Sequence, residues 1–172
     1  MVPLNILIAD DHVIIRRGLR NLLQQHMRVR SLQEAGSLAE LQRQFRDQSP
    51  DLTLLVLDLQ LGDGHGLDVL ENVRRDHAQM RVLVYTMSPE NIYAPRVMAM
   101  GGAGFLSKQA SEEEVLTAVR RVMQGKEYRS HEHELKHLGT TTPASAEGVA
   151  DPFAGLSDRE LRVMNELLNG ST

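Results

Sequence analysis

The chain has 172 residues, 41% of them hydrophobic, and carries a formal net charge of -4 at pH 7. This size allows one full domain and part of a second, while the acidic balance and the 3% of aromatic residues argue against a nucleic-acid surface. Without cysteine, a leader or an apolar run of about 18 residues, the chain is expected to be cytoplasmic, unprocessed and without a membrane span.

Five strand-then-helix units follow one another along residues 1–125. Apolar runs predict strands at residues 4–9, 29–35, 52–57, 81–86 and 103–107, and each precedes a stretch with helical spacing. Capping signatures at Ser37, Ser88-Pro89 and Ser111 predict helix starts, and Gly101-Gly102 predicts a helix end. The alternation indicates an α/β fold with a doubly wound parallel sheet.

Polar side chains stand at the carboxyl ends of four of these strands. Asp10 and Asp11 follow the first strand, Asp58 follows the third, Thr86 ends the fourth and Lys108 follows the fifth. Because the carboxyl ends of parallel strands share one edge, where open α/β sheets bind ligands, we expect one site there. An Asp at a strand end is also a common turn former, so the prediction depends on the whole set.

These residue types together suit phosphoryl transfer. Carboxylates attract a hard divalent cation such as Mg²⁺. Lys108 as a point charge and Thr86 as a hydroxyl donor suit phosphoryl oxygens. Asp58 can act as the nucleophile and form an aspartyl phosphate. The loop at 59–66, with Gly62, Gly64 and Gly66, predicts that Asp58 lies on a mobile, solvent-reachable rim, and His12 is expected to be an exposed turn residue.

The set Asp10-Asp11, Asp58, Thr86 and Lys108 resembles the five-residue signature of a response-regulator receiver domain, covering about residues 1–125. The resemblance implies a flavodoxin-like sheet of strand order 2-1-3-4-5. It also implies that Asp58 accepts a phosphoryl group from a sensor histidine kinase, so that the protein is a phosphoacceptor rather than an enzyme, with at most self-phosphorylation and self-dephosphorylation.

The resemblance also implies roles for the residues around Asp58. Mg²⁺ would be bound by Asp11, Asp58 and the main-chain carbonyl of Gln60, with Asp10 acting through water. Thr86 and Lys108 would hold the phosphoryl oxygens, and Phe105 would be the aromatic residue that changes rotamer with them. The family commonly has proline at the position of Gly62, so a looser loop is expected here.

A second resemblance concerns the C-terminal part. Residues 125–130 and 156–171 resemble the linker and first helix of a LuxR-type helix-turn-helix in NarL/FixJ-type regulators. The domains are therefore expected at 1–125 (receiver), 126–155 (linker with a short helix) and 156–172 (the start of the DNA-binding domain). The recognition helix would lie beyond Thr172. The intact protein would control transcription on DNA, this chain would not bind DNA specifically, and homodimers would form through the first or last receiver helix.

Three alternatives compete with this interpretation. His133-Glu134-Leu135-Lys136-His137 matches the H-E-x-x-H zinc motif, which suggests a metalloprotease, but the motif lies in a polar linker. A haloacid-dehalogenase-like phosphatase would need a second Asp at position 60, where this chain has Gln60. The third alternative is a receiver fold that is never phosphorylated and serves only as a docking module.

Overall fold

The computed structural model describes residues 3–48 and 51–130. The expected linker helix, the H-E-x-x-H motif and the LuxR-like segment lie outside the described residues. The strands are β1 (Leu4–Ala9), β2 (Val29–Ala35), β3 (Leu54–Leu57), β4 (Gln60–Leu61), β5 (Gly64–His65), β6 (Arg81–Thr86) and β7 (Gly104–Ser107). The helices are α1 (Val13–His26), α2 (Leu38–Gln48), α3 (Leu67–Asp76), α4 (Glu90–Ala99) and α5 (Glu112–Met123).

Five strands form a parallel sheet in the order β2-β1-β3-β6-β7. This confirms the predicted doubly wound α/β fold and its strand order 2-1-3-4-5, counted over the strands of this sheet. The register pairs Ala9 with Leu57, Leu57 with Val84, and Val84 with Phe105. The carboxyl ends of the strands therefore form one edge, as the sequence predicted.

The core lies on both faces of the central strands. All four residues of β3 are buried, as expected for a strand that helices cover on both sides. The outer strand β2 is only partly buried, which agrees with its more polar sequence. One large cluster joins β1, β3 and β6 to α1 and α5, with Ile6, Ile8, Leu23, Val56, Leu83 and Val119 among its most buried members.

The helix caps follow the sequence in two cases of three. Ser111 makes the full capping box with Glu114 at the start of α5. At α2 the Glu40 N–H donates to the Ser37 hydroxyl, whereas the Glu40 carboxylate accepts from the N–H of Gly36 rather than from that of Ser37. The capping box predicted for α2 is therefore only half formed, because the Glu40 side chain binds the N–H group one residue before Ser37.

The start of α4 differs from the prediction. Pro89 is the N-cap residue rather than the first helical residue, and the buried Ser88 hydroxyl accepts a hydrogen bond from Thr86 instead of capping the helix. The reason is that Ser88 still lies beside the end of β6, two residues after Thr86. The end of α4 agrees with the prediction, since Gly101 has a φ of 93°, which favours glycine.

The chain continues along the sheet after α5. Gly125 has a φ of 80°, and the following residues return to the edge of the sheet beside β7. The Tyr128 N–H donates to the Ala103 carbonyl at 3.1 Å, and the Phe105 N–H donates to the Tyr128 carbonyl at 2.9 Å. The Tyr128 side chain is buried in the main cluster. Residues 126–130, which the sequence analysis assigned to the linker, thus pack on this domain.

None of the helices within residues 3–48 and 51–130 has the length and apolar character that crossing a membrane requires.

Candidate functional site

Two buried carboxylates stand side by side at the carboxyl edge of the sheet. Asp10 follows β1 and is 2% exposed, and Asp58 follows β3 and is 3% exposed. The Asp58 N–H donates to the Ala9 carbonyl at 2.8 Å, and the Asp10 N–H donates to the Ala35 carbonyl at 3.1 Å. Both backbones therefore extend the sheet's own ladder, which gives the carboxylates fixed positions.

Lys108 joins the two carboxylates from the end of β7. Its Nζ lies 2.7 Å from Asp10 Oδ2 and 2.6 Å from Asp58 Oδ2, and the side chain is 5% exposed. Burial favours the neutral form of Lys108, but the hydrogen bonds and charges of Asp10 and Asp58 outweigh burial and raise its pKa above the ordinary value. Lys108 is therefore a fixed cation between two buried anions.

Asp58 is buried, so the prediction that solvent reaches it was wrong. The Lys108 side chain covers one of its oxygens, and the Gln60 N–H donates to the other at 3.1 Å. The sequence could not show this, because Lys108 is fifty residues further along the chain. The acidic pocket opens instead beside Asp11, whose side chain is 35% exposed.

The loop after Asp58 contains a small hairpin, in which β4 pairs antiparallel with β5. The Asp63 carboxylate at its tip accepts from the N–H groups of Leu38 at 2.7 Å and Ala39 at 3.1 Å. These hydrogen bonds lower the pKa of Asp63 and connect the tip of the hairpin to the start of α2. The Asp63 hydrogen bonds therefore anchor the loop to α2, although Gly62 was expected to make the loop looser.

His12 lies directly against the acidic pair. Its Nδ1 is 2.7 Å from Asp11 Oδ1 and 3.1 Å from Asp10 Oδ1, and its main-chain N–H donates to Asp10 Oδ1 at 2.8 Å. The side chain is 66% exposed, as the sequence analysis expected for a turn residue, but it also contacts the site. Its position next to the acid pair in the sequence was the available signal.

The donor atoms fit a divalent cation. Asp10, Asp11, His12 and Asp58 each offer one ligand atom, and these atoms lie within 4.8 Å of one another. Three of the four donors are carboxylate oxygens, the ligands that Mg²⁺ prefers. The cluster is an acidic pocket of the kind that holds Mg²⁺ in receiver domains.

Thr86 and Phe105 occupy buried positions at the same edge. The Thr86 hydroxyl donates to Ser88 Oγ at 3.3 Å and accepts from the Ser88 N–H at 3.3 Å. Phe105 is fully buried in β7. The Thr86 hydroxyl is therefore held by its own turn, and it would have to change partners to bind a phosphoryl oxygen.

Three residues with roles around the site were missed by the sequence analysis. Arg16 reaches the Asp10 carbonyl from α1, Asp63 tethers the hairpin, and Tyr128 pairs with the strand that carries Phe105. Asp63 lies in a glycine-rich turn and had a local signal as a capping residue. Arg16 and Tyr128 had none, because their contacts depend on packing.

Comparisons with known proteins agree with this arrangement. The family model described as response regulator receiver domain matches residues 6–120. The nitrate/nitrite response regulator protein NarP of Escherichia coli (strain K12) is 32% identical over 171 residues, covering 98% of this chain and 76% of NarP. The transcriptional activator protein ExaE of Pseudomonas putida is 32% identical over 168 residues, covering 98% of this chain and 77% of ExaE.

A solved structure gives the same result for the fold. The two-component response regulator of the LuxR family from Aurantimonas sp. SI85-9A1 superposes with a TM-score of 0.71 at 25% identity, covering 80% of this chain and 97% of that one. Sequence, fold and acidic pocket thus point the same way. The chain belongs to the response regulator receiver family, whose members are phosphoacceptors of two-component signalling rather than enzymes in the ordinary sense.

Proposed function

We propose that this chain accepts a phosphoryl group on Asp58 from a sensor histidine kinase and uses Mg²⁺ as its cofactor. The observation that carries the proposal is the Asp58 carboxylate at the carboxyl edge of the sheet, hydrogen-bonded to Lys108 and grouped with Asp10 and Asp11. Lys108 lowers the cost of holding two buried anions before the reaction. Mg²⁺ held by the three carboxylates would reverse the negative charge of this pocket and, together with Lys108, attract the oxygens of an incoming phosphoryl group.

In the proposed reaction a carboxylate oxygen of Asp58 attacks phosphorus. The bond between phosphorus and the kinase histidine nitrogen breaks, and the imidazole leaves with the electron pair. Asp10, Asp11, Asp58 and the Gln60 carbonyl would hold Mg²⁺, which supplies positive charge for the phosphoryl oxygens. The ammonium group of Lys108 would then move from the Asp58 carboxylate to a phosphoryl oxygen, which keeps the buried charges paired.

The proposed readout of phosphorylation involves Thr86 and Phe105. The Thr86 hydroxyl would exchange its 3.3 Å hydrogen bonds with Ser88 for a bond to a charged phosphoryl oxygen, which is the stronger interaction. Thr86 pairs with Ser107, two residues after Phe105, so the side chains of Thr86 and Phe105 lie on the same face of the sheet, and Phe105 would change rotamer when Thr86 moves. This is a local charge change that biases a two-state surface.

Three exposed apolar residues lie close in sequence to residues of the site and support docking of a partner there. Val13 is 46% exposed, Ile14 is 85% exposed and Met87 is 54% exposed. Val13 and Ile14 follow the acidic pair and His12 directly, and Met87 follows Thr86. Apolar side chains exposed beside a site mark an interaction surface, and the kinase is the partner that must reach Asp58. The outer face of α1 or α5 would serve a homodimer.

Control of transcription is proposed for the intact protein. ExaE, which is similar over 98% of this chain, is described as a transcriptional activator protein. The segment at 156–172 resembles the first helix of a LuxR-type helix-turn-helix, which supports DNA binding as the route of this control.

The proposal is tested by intact-mass measurement after incubation with a small phosphodonor and Mg²⁺. We expect one phosphoryl adduct on the parent chain, none on Asp58→Asn and none with EDTA. An adduct that persists on Asp58→Asn would place the acceptor elsewhere. If the folded parent binds Mg²⁺ but takes no adduct from several donors, the docking-module alternative gains, and zinc content of the chain would then test the H-E-x-x-H alternative.

A further inference from the structure

Arg16 belongs to α1, but its guanidinium reaches back to the turn that carries the acidic pair. Its Nη1 donates to the main-chain carbonyl of Asp10, and its Nε donates to Glu34 Oε2 at 3.3 Å. The Arg16 side chain is only 14% exposed. The largely buried Arg16 guanidinium thus binds the Asp10 carbonyl, beside the acidic pocket, and the Glu34 carboxylate.

Glu34 orients this guanidinium from β2. One of its carboxylate oxygens accepts from Arg16 and the other accepts from Arg20, which is one helical turn further along α1. Burial works against the charged form of Glu34, but the two arginines outweigh burial and lower its pKa. Gly36 leaves the room for the arrangement, since a Cβ there would lie 3.3 Å from Arg16 Nη1.

Two hydrogen bonds hold the main chain of Asp10, one from the sheet and one from Arg16. The Asp10 N–H donates to the Ala35 carbonyl at 3.1 Å, and the Asp10 carbonyl accepts from Arg16. The Asp10 carbonyl belongs to the peptide unit that joins Asp10 to Asp11. Because a peptide unit is planar, fixing that plane fixes the position of the Asp11 Cα and leaves only φ of Asp11 and its side-chain torsions to set the direction of its carboxylate.

We propose that Arg16, oriented by Glu34, is a positioning residue that preorganises the Asp10–Asp11 turn for the divalent cation. The proposal rests on the proposed function for the cation site and adds a residue that touches neither the cation nor the phosphoryl group. The alternative is that Arg16 only ties α1 to β2 and contributes stability.

The sign of the effect separates positioning from simple electrostatics. Removing a positive charge near a cation site favours cation binding, so the electrostatic effect of Arg16→Gln alone is tighter Mg²⁺ binding. Loss of positioning has the opposite effect, and second-shell partners of metal ligands are typically worth about 10-fold in affinity or more. Arg17 is the adjacent, exposed arginine of the same helix, so Arg17→Gln controls for the loss of one positive charge from this part of α1.

The experiment titrates Mg²⁺ into the full chain and its Arg16→Gln, Arg16→Lys, Glu34→Gln and Arg17→Gln variants, with thermal unfolding recorded for each. We expect Arg16→Gln to weaken Mg²⁺ binding about 10-fold, while Arg17→Gln binds as well as the parent or slightly better. Arg16→Lys keeps the charge but has a single nitrogen for two acceptors, so its Mg²⁺ affinity should lie between those of Arg16→Gln and the parent. The Mg²⁺ affinity of Glu34→Gln should lie in the same range.

Phosphorylation by a small phosphodonor gives the second measurement. If Arg16 has a positioning role, Arg16→Gln raises the Mg²⁺ concentration needed for the half-maximal rate and leaves the rate at saturating Mg²⁺ nearly unchanged. A purely structural role lowers the unfolding temperature and moves neither quantity in the folded protein. In addition, the ¹³C resonance of the Asp10 carbonyl should shift in Arg16→Lys and stay in place in Arg17→Gln.

The outcomes distinguish this proposal from the proposed function. If the parent binds no Mg²⁺, both are wrong. If the parent binds Mg²⁺ and folded Arg16→Gln binds it as tightly as Arg17→Gln does, only the positioning role is wrong. Should Arg16→Gln fail to fold, Arg16→Lys and Glu34→Gln decide, and parent-like Mg²⁺ affinity in both would overturn the proposal.

Discussion

At the scale of single residues, the site depends on how three charged side chains share one buried space. Lys108 lies within 2.7 Å of both Asp10 and Asp58, and all three side chains are at most 5% exposed. Such a group is stable only while its charges remain paired, because an isolated buried charge is costly. Replacing any one of the three therefore leaves a buried charge on the others without one of its partners.

Replacing Lys108 by alanine is expected to lower the free energy of unfolding by about 2 to 3 kcal/mol at pH 7 without divalent cations. Added Mg²⁺ should restore part of this loss, because the cation replaces the missing positive charge between the carboxylates. Urea unfolding with and without Mg²⁺ measures both effects. Lys126→Ala, at an exposed lysine, is the matched control, and equal losses in the two variants would contradict the pairing described here.

The pH dependence follows from the raised pKa of Lys108. A group whose pKa is higher in the folded state stabilises the fold fully below its ordinary pKa, here 10.5, and loses this contribution as the pH rises through the folded-state value. The parent should therefore lose more stability above pH 10.5 than Lys108→Ala does. Parallel stability curves for the two proteins in alkali would show that the raised pKa is incorrect.

At the scale of elements, the segment from Asp58 to α3 contains three glycines, of which Gly62 and Gly66 have different surroundings. A Cβ on Gly66 would lie 2.6 Å from the Asp58 carbonyl oxygen and 3.0 Å from the Leu59 Cα, both of which are main-chain atoms. A Cβ on Gly62 would lie 3.6 Å from Asp11 Oδ2, an ordinary contact. A Cβ on Gly64 would meet Leu38 Cδ2, the end of a flexible side chain, so the close approach to main-chain atoms concerns Gly66, although the looser loop was expected at Gly62.

We expect Gly66→Ala to cost about 2 kcal/mol of stability and to slow phosphorylation, because the backbone of Asp58 must move to admit the methyl group. Gly62→Ala should be neutral or stabilising by at most about 1 kcal/mol, through a less flexible unfolded chain. Urea unfolding and the rate of adduct formation test the pair. A larger effect at Gly62 than at Gly66 would mean that the flexibility of the hairpin tip governs the site.

At the scale of the whole molecule, residues 126–130 pack on the receiver domain beyond the end of α5 at Met123. Tyr128 contributes a buried ring, two main-chain hydrogen bonds to the segment around β7, and a contact of its ring with the Arg121 guanidinium at 5.8 Å. The Ser130 N–H donates to the Glu90 carboxylate at the start of α4. The chain that leaves the domain is thus attached to both β7 and α4.

A chain that ends at Gly125 is expected to be less stable than one that ends at Ser130 by about 2 to 4 kcal/mol, because it lacks the buried ring and both hydrogen bonds. Denaturant unfolding of the two chains measures the difference, and Tyr128→Ala in the longer chain should reproduce most of it. Equal stability would place the domain boundary at Gly125, where the sequence analysis put it.

The exposed apolar residues close in sequence to the site residues lead to a prediction about the partner. Replacing Ile14, which is 85% exposed, by serine should slow phosphotransfer from the cognate kinase at least several-fold and leave phosphorylation by a small phosphodonor unchanged. The small donor is the internal control, since it needs the pocket but no docking surface. Equal slowing with both donors would indicate damage to the pocket, and no slowing with the kinase would remove α1 from the docking surface.

The sequence by itself determined the helices, the strands of the five-stranded sheet and the edge on which the site stands, but not the small hairpin of β4 and β5. Apolar runs and capping residues are local signals, so the five strand-then-helix units and the strand-end positions of Asp10, Asp11, Asp58, Thr86 and Lys108 could be predicted. The start of α4 could not be predicted as well, because the Ser88 hydroxyl can either cap α4 or bond to the neighbouring Thr86, and in the structure it bonds to Thr86.

Only the tertiary structure decided how these residues meet. The burial of Asp58 beneath Lys108, the reach of Arg16 to the Asp10 carbonyl and the pairing of Tyr128 with the segment around β7 join residues on different elements. Side-chain rotamers and the packing of helices against the sheet set those contacts, and neither follows from periodicity along one segment. The types of residue at the site are therefore a property of the sequence, whereas its closed, charge-paired arrangement is a property of the fold.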